Sequence, residues 1–206
     1  MIEEFLRRPH GPGAWSADGL RVLGLVSVVV AAIGFSWTDA GILAFALPAL
    51  LIPRFVGARP AFDIVFCVCV LIAAWSNVLD LYTSIWWWDI AVHFVATGVI
   101  AAMVFVLFGW WGVLPRSTDA SQRPRSALVL VPVIGLALSA VWEMVEWAGF
   151  TWISDQIYVA YDDTIGDMAV GGLGSAIAGL VVARVRLERR RAAEAESPRE
   201  GLSGDR

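Results

Sequence analysis

Six long apolar stretches, separated by short polar breaks, constrain the fold of this chain more than any other feature. They cover roughly residues 20–37, 41–56, 62–82, 89–111, 127–150 and 165–185. An apolar helix of about 20 residues, rising about 1.5 Å per residue, spans the roughly 30 Å hydrocarbon core of a bilayer. Only 17% of the residues are charged, against about 25% in soluble domains. The sequence therefore predicts an all-α, polytopic membrane protein, a bundle of six transmembrane helices.

The basic residues, all of them arginines, fall on one side of such a bundle. They flank the first helix, occupy the connections between helices two and three and between four and five, and follow helix six. An excess of arginine marks the cytoplasmic side of a membrane, so both termini are predicted to be cytoplasmic in a prokaryotic plasma membrane. Helix two is short and contains Pro48 and Pro53. The arginine pattern supports it, because without this helix the later arginines would lie outside.

The segments outside the bundle are a cytoplasmic stretch of residues 1–19 and a charged tail of residues 186–206, which is predicted to be disordered. The first helix is expected to remain as an uncleaved anchor. Trp75 and Trp142 lie deeper than the other tryptophans and are expected to pack between helices. The lipid bilayer is the expected partner, and no nucleic acid is expected.

Ionisable side chains concentrate at the arginine-free ends of helices four, five and six. They form three pairs: Asp89 with His93, Glu143 with Glu146, and Asp163 with Asp167. Spacings of three or four residues place both members of a pair on one helix face. Because charges inside a bilayer are costly, such groups usually face the bundle interior and serve a function. The pattern predicts one polar site just beneath the outer surface.

Five carboxylates without a basic partner repel one another, so some must be protonated or neutralised by a cation. The predicted neutraliser is a divalent metal held by His93, Glu143, Glu146, Asp163 and Asp167. Oxygen ligands with one imidazole suit Mn²⁺, Fe²⁺ or Zn²⁺, and fewer nitrogen contacts would suit Mg²⁺ or Ca²⁺.

The predicted catalytic residues are Asp89, His93 and Glu143. A metal there would lower the pKa of bound water, while Asp89 would orient His93 or act as the general base. An outward-facing site just beneath the surface suits hydrolysis of a lipid-linked or envelope substrate.

Local explanations compete with a shared site. Asp89 could cap helix four, and Asp163 or Thr164 could cap helix six. His93 could bond a backbone carbonyl, and Glu146 could reach water.

Two other functions also remain open. A proton or cation transporter uses similar groups, although the inner half of the bundle is almost free of polar residues. A non-catalytic accessory membrane protein could let the acids pair by sharing protons.

Three further features are interpreted structurally. Gly171, Ser175 and Gly179 form a ladder of small residues that predicts close helix packing. Asp63 is interpreted as a cap of helix three, and Asp18 as part of the turn before helix one.

The polar motifs also resemble a known family. They read D-x3-H-F from Asp89, then E-x2-E from Glu143, then Y-x-D-T-x2-D from Tyr161. This pattern resembles the YjdF-like bacterial inner-membrane proteins and, more loosely, the VanZ-like proteins linked to glycopeptide resistance. The resemblance covers roughly residues 89–178. It implies a membrane protein with a shared polar site but no established reaction, and the VanZ-like asparagine is replaced here by Gly171.

Overall fold

The computed structural model describes residues 2–114, 123–153 and 159–189, and in these ranges the chain is helical without a β-strand. The helices are α1 (Ile2–Leu6), α2 (Pro12–Gly34), α3 (Trp37–Phe55), α4 (Pro60–Val78), α5 (Leu81–Ser84), α6 (Trp88–Trp110), α7 (Arg123–Trp152) and α8 (Tyr161–Arg184). All but α1 and α5 are long and apolar enough to cross a membrane. The predicted fold class is confirmed. Most of the predicted tail, from residue 190, lies outside the described residues.

Five helix boundaries differ from the prediction by four residues or more; two of them are the start of α3, at Trp37 rather than at residue 41, and the start of α7, at Arg123 rather than at residue 127. Helix α2 begins at Pro12 rather than at residue 20, because Gly11 has a φ of +80° and proline is well suited to the first helical position. Helix α4 ends at Val78 rather than at residue 82, because Asp80 adopts a left-handed φ of 52° and turns the chain into α5. Helix α8 begins at Tyr161 rather than at residue 165, so Asp163 lies in its first turn.

The predicted second helix is present as α3 and continues through both of its prolines. Its N-terminus carries a capping box, in which the Ser36 hydroxyl accepts from the Asp39 amide and the Asp39 carboxylate accepts from the Ser36 amide. This reciprocal pair satisfies two amides at the helix start. The short apolar stretch is therefore a helix of 19 residues.

Helix α8 packs tightly against both α6 and α7 because small residues line its two contact faces. A Cβ on Gly98 of α6 would lie 2.8 Å from the Gly174 carbonyl oxygen, and a Cβ on Gly174 would overlap the Phe94 carbonyl. On the other side, a Cβ on Gly135 of α7 would overlap the Ser175 hydroxyl. The predicted close packing of the small residues is confirmed, and it brings the polar ends of the three helices together.

The starts of α2 and α4 and the end of α3 meet at what we call the arginine end of the bundle. Arg21 donates to Asp63 at 2.6 Å, and Arg54 donates to Asp18 at 2.7 Å. Asp63 makes no capping bond at the start of α4. The interpretations of Asp63 as a cap and of Asp18 as a turn residue were therefore wrong, because both acids bind arginines of neighbouring helices.

Candidate functional site

Helix α6 supplies the first two groups of the site at the opposite end of the bundle, which we call the acidic end. Asp89 lies in the first turn, and His93 lies one turn further along the same face, where it is 8% exposed. The helix has no side-chain cap. The Asp89 carboxylate instead approaches the His93 imidazole, with Oδ1 3.5 Å from Nε2. Capping therefore does not account for Asp89.

Helix α8 supplies Asp167, which is 4% exposed. Its Oδ2 lies 3.9 Å from the Nε2 atom of His93, so the imidazole stands between carboxylates of two helices. Both separations are longer than a direct hydrogen bond. No side chain caps α8 either, so capping does not account for Asp163 or Thr164. Within the described residues, His93 makes no hydrogen bond to a backbone carbonyl.

Helix α7 supplies Glu143 and Glu146 near its C-terminal end. Ligand-capable atoms of His93, Glu143 and Glu146 all lie within 4.8 Å of one another, and those of Asp89, His93 and Asp167 do the same. The two groups overlap at His93. The structure thus brings five of the six predicted residues together, whereas Asp163 belongs to neither group.

Two buried polar atoms of α7 have no partner within the described part of the chain. They are Oε1 of Glu143, whose residue is 9% exposed, and the hydroxyl of Ser139 one turn deeper. Glu146 differs, because its Oε1 accepts from the indole of Trp142 at 2.9 Å. A buried carboxylate oxygen without a partner is costly. Glu143 therefore presents an unsatisfied acceptor to the cluster.

The two deeper tryptophans behave differently. The indole of Trp75 donates to Ser27 of α2 at 3.0 Å. Its ring packs against the buried apolar residues at the contact of α2, α3 and α4, as predicted. Trp142 is half exposed on the membrane-facing side of α7. The expectation that Trp142 packs between helices was wrong, because its indole turns towards Glu146.

Tyr82 is a neighbour of the site that the sequence analysis missed. Its phenol donates to the Ala73 carbonyl at 3.1 Å. Burial, and then the negative charges of Asp89 and Glu146, raise the pKa of Tyr82 above its usual value. The turn at Asp80 places Tyr82 on α5, where the linear pattern of α4 no longer applies. Aspartate is enriched at positive φ, and this was the available signal for that turn.

Two hydroxyls close to Gly171 were also missed as members of a polar layer. A Cβ on Gly171 would lie 3.0 Å from Oγ1 of Thr97 and would overlap the hydroxyl of Ser139. Thr97 is buried one turn below His93, and Ser139 lies one turn below Glu143. The space that a longer side chain would need at position 171 is therefore occupied by these hydroxyls.

The electrostatic environment of the acidic end is one-sided. In the described ranges, the side-chain nitrogen within 4 Å of the Asp89 and Asp167 carboxylates is Nε2 of His93. The arginine–carboxylate pairs of the described residues lie at the arginine end instead. One imidazole therefore faces four carboxylates of three helices.

Comparison with known proteins assigns the chain to a family without naming a reaction. The family model described as predicted membrane protein (DUF2238) matches residues 18–188. No curated protein and no solved structure matches the chain. The YjdF-like resemblance is consistent with this match, because YjdF is a member of the same family, whereas the VanZ-like resemblance is not supported. The match spans most of the chain and all six long helices, and the protein therefore belongs to the DUF2238 family of predicted membrane proteins.

Proposed function

We propose that this protein is a membrane-embedded, divalent-metal-dependent hydrolase that acts on a lipid-linked or envelope substrate. The observation that carries the proposal is the convergence of four carboxylate residues on His93, together with the unpartnered Oε1 of the buried Glu143. A cation would satisfy this oxygen and offset the repulsion among the carboxylates.

The types of ligand atom in the site limit which divalent metals it would prefer. His93, Glu143 and Glu146 provide one nitrogen and two oxygen donors from two helices, and Asp167 adds a carboxylate from a third. One imidazole among carboxylates suits Mn²⁺, Fe²⁺ or Zn²⁺ better than a purely oxygen-ligated ion. The position of Asp163 outside both groups supports a role at the rim of the site rather than as a ligand.

The remaining residues have roles that follow from their contacts. A bound divalent cation supplies Lewis acidity and lowers the pKa of a bound water. Asp89, 3.5 Å from His93 and more exposed than Asp167, is placed to orient the imidazole or to accept a proton as a general base. Tyr82 borders the site close enough to Asp89 and Glu146 for their charges to raise its pKa, and its O–H donates to the Ala73 carbonyl, which leaves the phenol oxygen as an acceptor.

The position of the site supports a membrane-derived substrate. Glu143 and Glu146 lie in the last turns of α7, and Asp89 and Asp167 lie in the first turns of α6 and α8. A site at this depth is reachable from a lipid headgroup. We infer from the arginine distribution that it faces away from the cytoplasm.

A cation or proton pathway is the second candidate, and the hydroxyls of Thr97 and Ser139 favour it because they extend the polar region one turn inward. Further in, the hydroxyl of Ser175 donates back to the Gly171 carbonyl of its own helix, and Ala101, Val131 and Val182 beyond the hydroxyls are fully buried apolar residues. An apolar floor supports a site that binds and reacts rather than one that conducts.

Elemental analysis of protein purified without added metal tests the proposal. We expect stoichiometric Mn, Fe or Zn in the native protein, and loss of the metal in both His93→Ala and Glu143→Gln. Asp162→Asn is the matched control, because Asp162 is an exposed carboxylate at the same end and belongs to neither ligand group. This control should retain the metal.

Activity is then tested on bacterial envelope lipid extract, with products identified by mass spectrometry. Hydrolysis products that require metal and disappear in Glu143→Gln would support the hydrolase. Metal-free protein that instead takes up protons or cations in vesicles would favour the second candidate. An unchanged cellular phenotype in both His93→Ala and Glu143→Gln would favour a non-catalytic accessory protein instead.

A further inference from the structure

A second polar cavity lies at the arginine end, on the opposite side of the bundle from the acidic site. It is partly open to the outside, and its interior volume is about 20 Å³. The N-terminal segment, the connection from α3 to α4 and the segment after α8 all contribute to it. Its charged lining consists of Glu4, Arg7, Arg8, Arg54, Asp63 and Arg189.

Two of these charges are already neutralised. Arg54 contacts both carboxylate oxygens of Asp18, at 2.7 and 2.8 Å, and its other nitrogens donate to the backbone carbonyls of Phe5 and Arg7. Asp63 accepts from Arg21 at 2.6 Å. Arg54 therefore keeps only one of its five N–H donors for a ligand, and it fixes the N-terminal segment that carries Arg7 at the cavity.

Three cations and one acid remain in the lining. Arg7 contacts Glu4 only at 3.6 Å, and Arg8 is exposed at the mouth. Arg189 is partly buried and, within the described residues, pairs with no carboxylate. Burial, and next the positive charge of Arg7, lower the pKa of Arg189. The cavity therefore has an excess of positive charge that the described residues do not neutralise.

The backbone holds Arg189 firmly in place. Its amide donates to the Gly57 carbonyl at 3.0 Å, and the Arg59 amide donates to the Leu187 carbonyl at 2.7 Å. These bonds flank a bridge between Ala58 and Glu188. The segment after α8 is thus tied to the connection between α3 and α4, and the cation is presented from a fixed backbone.

We propose that this cavity binds a phosphate group. Guanidinium groups bind phosphate oxygens through paired, charge-assisted hydrogen bonds, and one phosphate would neutralise the excess charge of Arg7, Arg8 and Arg189. The group can come from the headgroup of an anionic lipid or from a soluble phosphate. Trp110, whose indole donates to the Val56 carbonyl at 2.9 Å, and the exposed Trp111 place this end at interfacial depth.

The test measures binding to the full chain by two routes. In the first, native mass spectrometry counts phosphatidylglycerol retained from micelles that contain equal amounts of phosphatidylglycerol and phosphatidylcholine. In the second, thermal unfolding is compared in inorganic phosphate and in chloride at equal ionic strength. Arg189→Gln should weaken binding at least about tenfold, the effect of losing one charge-assisted hydrogen bond. Arg8→Gln should weaken it in the same direction.

Arg59→Gln is the matched control, because Arg59 lies in the same connection but not in the cavity lining, and its guanidinium donates to the Arg186 carbonyl. It should bind like the native protein. An effect of Arg189→Gln on phosphatidylglycerol alone identifies a lipid headgroup, and an effect in inorganic phosphate identifies a soluble source. Equal losses in Arg189→Gln and Arg59→Gln, or no loss in either, would overturn the proposal.

Discussion

Replacing Glu143 by glutamine should stabilise the metal-free protein and at the same time weaken its binding of metal. The residue is buried, its Oε1 has no partner, and its ligand atom lies within 4.8 Å of that of Glu146. Without a cation, the native carboxylate is therefore both desolvated and close to a like charge. Glutamine keeps the shape of the side chain but removes the charge. The repulsion from Glu146 is therefore lost, and so is the carboxylate that would bind the metal.

The size of the effect follows from the separation of these groups. Two unit charges at 4.8 Å, the upper limit of this separation, repel by about 3.5 kcal/mol at an effective dielectric constant of about 20. Glu146 is only partly buried, and water near it screens some of this repulsion, so the free energy of unfolding of the metal-free protein should rise by about 1–3 kcal/mol. A chain of this size changes its Tm by about 2–4 °C per kcal/mol, so the expected rise is several degrees.

Thermal unfolding in detergent, first with a chelator and then with added Mn²⁺ or Zn²⁺, measures both effects. The native protein should gain about 2.7 kcal/mol at a metal concentration one hundred times Kd, and Glu143→Gln should gain little. Asp162→Asn should behave like the native protein in both conditions. A lower Tm for Glu143→Gln in chelator, or an equal metal response in the two proteins, would refute the reasoning.

Three further predictions concern other parts of the molecule. In thermal unfolding, Gly174→Ala should lower the free energy of unfolding by about 1–3 kcal/mol, because its Cβ would overlap a backbone carbonyl of α6. Gly166→Ala is the control and should not be destabilising, because the space around Gly166 is open. Asp63→Asn should cost about 3 kcal/mol, because it leaves the guanidinium of Arg21 buried with less counter-charge; a double-mutant cycle with Arg21→Gln checks the coupling. In an ultraviolet titration of the tyrosines, one phenol should remain protonated as the pH rises above about 10, because the pKa of Tyr82 is raised. Tyr82→Phe should remove the ionisation at high pH. An unchanged titration in this variant would contradict the assignment of that ionisation to Tyr82.

The sequence predicted the six spanning helices and most of the site because both depend on short-range patterns. A long apolar run sets a spanning helix, and a spacing of three or four residues sets a shared face. Asp167 could be placed beside Asp89 and His93 only if α6 and α8 pack closely. The ladder of small residues on α8 indicated this packing. The sequence did not show that Asp167, in the second turn of α8, would face His93 while Asp163 in the first turn would not.

The errors arose where charges enter a helix or where the chain turns. Apolar runs cannot find the start of α2, because this helix takes in Asp18 and Arg21, whose partners are far along the chain. Tyr82 was missed for a related reason, since the left-handed turn at Asp80 redirects it towards residues of other helices. Pairing between distant segments leaves little trace in local spacing, and a linear pattern cannot supply it.

Buried carboxylates are paired with arginines at one end of the bundle but not at the other, and this contrast argues for a ligand at the acidic end. At the arginine end, Asp18 and Asp63 each meet a guanidinium of another helix, so the fold itself supplies the counter-charge. An arginine on α6 or α7 could do the same for Glu143, and the chain uses arginine freely elsewhere. A fixed guanidinium would, however, fill the space and satisfy the charge permanently. Under the proposed function, buried acids gathered around a single imidazole would keep that place for an exchangeable cation, as a site that binds and reacts requires.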